Sequence, residues 1–119
     1  MDARPLRFHE FARLTEVLGA VARAEGLAVP GFRSPPRRSG LLRSIRRDAR
    51  GTATVAVVLR GRPAAAVVAD LLDGVVAVNA LDDRRARRLR ARVRERLASE
   101  GLPLDEAAPI AVVPTASAA

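Results

Sequence analysis

The sequence predicts one α+β domain, with a helix at each end of a β-rich centre. Three observations predict it. Apolar residues recur at helical spacing near the N-terminus and again after residue 82. β-branched Thr52, Thr54, Val55, Val57 and Val58 crowd one short segment between them. Gly51, the Gly61-Arg62 pair and the Asp73-Gly74 pair divide that centre as turn residues do.

The first helix is expected over about residues 7–25. Phe8, Phe11, Leu14, Leu18 and Val21 form its apolar stripe, and Gly26 suits the left-handed position that ends a helix. Residues 27–40 read as a loop stiffened by Pro30, Pro35 and Pro36, with Ser34-Pro35-Pro36 near polyproline II and Phe32 plugging the loop into the core. An antiparallel meander of three to four strands follows. Its strands are expected at residues 41–48, 52–60, 64–72 and 75–80, with Gly61-Arg62 and Asp73-Gly74 as hairpin turns. Residues 64–73 also fit a helix, with Pro63 first and Gly74 just past its end. The strand is preferred because such a helix would leave almost no linker before the next strand.

The last helix is expected over residues 82–99. Asp82 or Asp83 can cap it, and Ala86, Leu89, Val93 and Leu97 make its apolar stripe. Arg84, Arg85, Arg87, Arg88, Arg90, Arg92, Arg94 and Arg96 cover the rest. Residues 1–104 form the domain. Residues 105–119 are read as a fraying tail, in which residues 109–113 could form a short edge strand.

Composition narrows the function. At 119 residues the chain suits one domain. With only 3% aromatic residues, the core has to be built from Val, Leu and Ala. There is no Cys, so disulfides, thiol nucleophiles and thiolate metal sites are excluded. No apolar run reaches the ~20 residues that span a bilayer, and the N-terminus has no secretory apolar region. A cytoplasmic protein with no membrane association is the expectation.

His9 is the single histidine and has no nucleophile motif beside it, so neither a metal site nor a catalytic triad can be assembled. Asp70, Asp73, Asp82 and Asp83 are explained by turns and caps better than by Mg²⁺. Gly61-Arg62-Pro63 lacks the glycine spacing, Lys and Ser/Thr of a phosphate loop. Arg33-Ser34-Pro35-Pro36-Arg37 is read as a rigid loop, not a docking peptide. The expectation is a protein that is not an enzyme and carries no cofactor.

Charge is the main functional signal. The net charge is +8, and every basic residue is Arg, as a GC-rich genome favours. Residues 33–62 hold Arg33, Arg37, Arg38, Arg43, Arg46, Arg47, Arg50, Arg60 and Arg62 against Asp48 alone, so nine minus one puts +8 in that stretch. If Arg33, Arg37, Arg38, Arg43, Arg46, Arg47, Arg60 and Arg62 converge, they can neutralise several phosphates of DNA or RNA without strong sequence specificity. The scarcity of aromatics argues against base stacking. The alternative reading starts from the strands. Val55, Val57 and Leu59 occupy one face and Ala56 and Val58 the other, so an apolar open face could bind a second copy or an acidic protein partner.

In element order, helix, strands and basic helix, the chain resembles double-stranded-RNA-binding domains and small nucleoid-associated proteins. The last helix lacks the Lys cluster of the former, so their contacts are not carried over. The segments Pro30-Gly31-Phe32-Arg33-Ser34-Pro35-Pro36-Arg37 and Leu59-Arg60-Gly61-Arg62-Pro63 resemble small proteins of high-GC actinobacteria. That resemblance spans about residues 25–100 and implies no activity.

Overall fold

The computed structural model describes residues 7–34, 43–59 and 61–102. The elements in order are α1 (Phe8–Ala24), β1 (Gly31–Arg33), β2 (Arg43–Arg47), β3 (Ala53–Val57), α2 (Ala64–Asn79) and α3 (Asp83–Ser99). The α+β class, the N-terminal helix and the basic C-terminal helix are as the sequence predicts. The sheet is not an antiparallel meander. Its strand order is β1-β3-β2, with β1 parallel to β3 and β2 antiparallel to it.

Two sequence expectations are corrected here. Residues 64–72 and 75–80 are not strands but the single helix α2. Pro63 is its N-cap, in an extended conformation that needs no N–H. Alanine-rich residues follow, and Ala has the strongest helix propensity. Buried Ala65, Val67, Val68, Leu71, Leu72, Gly74 and Val75 fall on one helical face. Asp73 and Gly74 therefore lie inside a helix rather than in a hairpin turn. Gly61 does turn the chain, at φ +75°, but into α2 rather than between strands. Second, β1 occupies a stretch read as loop. It has three residues between Pro30 and Ser34, too few to show an alternating pattern. Phe32 does pack against the core as expected.

All three helices end in one way. Gly26, Ala80 and Gly101 take positive φ. The next residue, Leu27, Leu81 or Leu102, donates its N–H to a carbonyl five positions back, on Ala22, Val76 and Leu97. Each leucine also packs against the core. At the other end of α3, the Asp82 carboxylate accepts the Arg85 N–H at 2.8 Å, which makes Asp82 the cap.

The core has one side. Val55 and Val57 of β3 join Leu14, Leu18 and Val21 of α1, Val67, Leu71 and Val75 of α2, and Leu89, Val93 and Leu97 of α3 in one cluster. Thr54 and Ala56, which alternate with those valines, stay outside it and are only half-buried. The open face is thus small and polar. Val58, placed there by simple alternation, lies past the end of β3 and is buried.

α2 reaches the sheet at Gly74. A Cβ built on Gly74 would stand 2.6 and 2.7 Å from the two γ-methyls of Val55. The helix can approach β3 this closely only without a side chain at residue 74. Asn79, in the last turn of α2, then ties the helix to the chain that leads into β1. Its amide accepts the Ala28 N–H at 2.9 Å and donates to the Ala28 carbonyl at 2.9 Å.

The expected polyproline II segment at Ser34-Pro35-Pro36 lies almost wholly outside the described residues. So do the fraying tail and its edge strand at residues 109–113.

Gly74→Ala should destabilise the fold by about 1–3 kcal/mol through overpacking against the stiff Val55, despite a helix-propensity gain of about 1 kcal/mol. Urea unfolding measures it. Gly19→Ala is the control: its Cβ would meet its nearest neighbours at 3.5 Å, ordinary contact, so it should be neutral or stabilising. Ala80→Gly should raise the urea midpoint, because Ala80 holds the left-handed conformation at φ 51°, ψ 47° that costs an L-residue about 1 kcal/mol or more.

Candidate nucleic-acid interface

Residues paired across strands point to the same side of a sheet. Arg46 pairs with Thr54, and Thr54 with Gly31. Ser44 pairs with Ala56, and Ala56 with Arg33. These two rows build the open face, so Arg33 and Arg46 sit on it at opposite corners. From strand spacings their Cα atoms are about 12 Å apart. Both arginines are exposed. Neither side chain has a carboxylate partner among the described residues, and the rows hold only Gly, Ser, Thr and Ala besides.

Arg43 and Arg47 pair with Val57 and Ala53 and so point to the helix side. Arg43 Nη1 donates to Asp73 of α2 at 3.1 Å, and Arg90 of α3 holds the other oxygen of Asp73 at 2.8 Å. Arg47 donates to the Val78 carbonyl at 3.5 Å, near the negative end of the α2 dipole. These two arginines fasten α2 along β2. Arg62 is largely sequestered: it pairs with Asp70 at 2.8 Å and donates to the Val58 carbonyl at 3.3 Å, with both side chains of the ion pair mostly buried. Arg37, Arg38 and Arg60 lie outside the described residues. The five described arginines of that set divide between two surroundings. Arg33 and Arg46 share a face, whereas Arg43, Arg47 and Arg62 serve the fold.

Asp48, the one acid of the basic stretch, is turned inward on its own loop. Its Oδ1 accepts the N–H groups of Arg50 and Thr52, each at 2.9 Å, while Gly51 at φ +85° closes the β2–β3 turn. Arg50 is exposed at the tip of this hairpin.

On α3, carboxylates take up much of the charge. Glu25 holds Arg88 at 2.9 Å and Arg92 at 3.9 Å, beside a cleft lined by Leu27, Leu81 and Leu89. Glu100 holds Arg96 at 3.0 Å and Arg13 of α1 at 3.1 Å. Hydrogen bonds from Arg96 and then Arg13 hold the Glu100 carboxyl below its ordinary range. Arg84, Arg85 and Arg87, in the first turns of α3, have no carboxylate partner among the described residues. The sequence showed them only as part of a uniform arginine coat.

Three of the four acids Asp70, Asp73, Asp82 and Asp83 are engaged within the fold. Asp70 and Asp73 are ion-paired, and Asp82 caps a helix. Among the described residues no group of three or more His, Asp or Glu could hold a metal, and His9 is exposed at the start of α1. No described helix is long and apolar enough to cross a membrane. No protein-family model, curated protein or solved structure matches the chain.

Glu100→Gln should lower stability at neutral pH and make no difference in acid. A carboxyl depressed in the folded state stabilises fully above its unfolded value, about 4.3, and that stabilisation is lost as pH falls through the lower folded value. Urea unfolding of both proteins from pH 7 to pH 3 should show two curves that converge as the pH falls.

Proposed function

We propose that this chain is a non-enzymatic cytoplasmic binding protein whose open sheet face contacts the phosphates of DNA or RNA without strong sequence specificity. The supporting observation is that Arg33 and Arg46 share an exposed face with no carboxylate beside them among the described residues, on a floor of Gly31, Ser44, Thr54 and Ala56. Small side chains let a sugar–phosphate backbone approach the strands. Two guanidinium groups can then take phosphate oxygens bidentately, and the Ser44 and Thr54 hydroxyls can donate to others.

The chemistry of this face favours backbone contacts over base reading. Phe32, the one aromatic of the sheet, pairs with Val55 and points to the core. No ring is left on the open face to stack a base. The Arg-rich segment raises the local positive potential, which steers a polyanion and makes binding sensitive to salt.

The test is fluorescence anisotropy of a labelled duplex over a salt series. Replacing Arg33 and Arg46 together by Ser should weaken binding and lower the slope of log K against log salt by about 2, one for each lost phosphate contact. Arg62→Ser, which removes a guanidinium already held by Asp70, should leave the slope unchanged. Equal slopes and affinities for the wild type and the Arg33/Arg46 variant would exclude this face as the interface.

A further inference from the structure

β2 is an edge strand, and its outer side is unpaired among the described residues. The orientation of its backbone follows from the hairpin. Asp48 donates its N–H to the Thr52 carbonyl at 3.0 Å, so residue 48 faces β3. Alternation along an antiparallel strand then turns Ser44 and Arg46 toward β3, and the N–H and C=O groups of Arg43, Ile45 and Arg47 outward. Ile45 stands in the middle of this free edge and is 37% exposed, one of two large apolar side chains exposed among the described residues.

The charge along the edge selects its occupant. Among the described residues, Arg46 has no carboxylate partner and Arg47 meets the carbonyls of Val78 and Gly51. Asp73 is shared between Arg43 and Arg90, so that cluster keeps an excess positive charge. A second copy of β2 paired about Ile45 would set Arg43 against Arg47 of the other chain at both ends, which repels. We infer that the outer edge of β2 accepts an extended acidic peptide as an added antiparallel strand, with an apolar residue opposite Ile45 and acidic residues opposite Arg43, Arg46 and Arg47. The added strand would satisfy the outward backbone groups of Arg43, Ile45 and Arg47. Side chains alternating across it would meet Ile45 on the helix side and Arg46 on the open side. This inference stands on the strand edge and does not depend on the polyanion reading of the sheet face.

The probe is a capped synthetic peptide with the central sequence Glu-Glu-Val-Thr-Glu, titrated against the whole chain. Hydrogen exchange is followed at Arg43, Ile45 and Arg47. Saturable binding that slows exchange at these amides is expected. N-methylating the first Glu, the Val and the last Glu removes the donors aimed at β2 and should weaken binding by at least about tenfold. N-methylating the second Glu and the Thr, whose amides point away, should leave binding intact. Equal affinity for the two methylated peptides would mean capture by charge alone and overturn the inference, as would no binding of the parent peptide. A dimer mass with these amides already protected in the free protein would overturn it too, because a second copy would then hold the edge. Ile45→Glu, an exposed position, should abolish binding while leaving the circular dichroism spectrum unchanged.

Discussion

The close approach of α2 to β3 at Gly74 and Val55 is the constraint on which the rest depends. A helix seated that low covers Val55 and Val57 and leaves no gap between helix and sheet. α1 and α3 then complete the same side of the core, and their leucine-ended C-termini close it. Because every described helix lies on that side, the other side of the sheet is left to small and polar residues. The open face that carries Arg33 and Arg46 is thus a by-product of how the core is closed.

Arginine has two separate duties in this fold. Arg13, Arg43, Arg47, Arg62 and Arg90 bond across elements, to carboxylates or to carbonyls near a helix end. Arg33, Arg46 and Arg50 project into water. Exposed ion pairs add little stability singly, about 0–1 kcal/mol. The Arg43–Asp73–Arg90 cluster joins three elements, so it does more to fix their relative placement than to add stability. Separating the two duties is what turns a diffuse basic composition into a defined surface.

Much of the fold was legible in the sequence, because both terminal helices carry clear stripes and caps. Leu14, Leu18 and Val21 recur on one face of the first, and Leu89, Val93 and Leu97 on one face of the second. Asp82 and Gly26 sit where capping chemistry requires. The centre was harder to read. Val67, Val68, Leu71, Leu72, Val75 and Val76 suit a buried strand as well as a buried helix, since an element apolar nearly all round shows no clear period. Gly74 misled further, because a glycine needed for close packing resembles a glycine that ends a helix. The candidate surface was half legible. Charge marked the segment, but the side of the sheet on which each arginine lies depends on register. For Arg33 that register comes from β1, which the sequence did not show.

The two hydrogen bonds between the Asn79 amide and Ala28 give that register an anchor far away in sequence. Asn79 bonds both backbone groups of Ala28 as a neighbouring strand would, three residues before β1 begins. A slip by one residue would carry Phe32 out to water and turn Arg33 in among valines. The Asn79 carboxamide and the pairing with β3 together hold the chain where it offers the solvent a cation and not a ring.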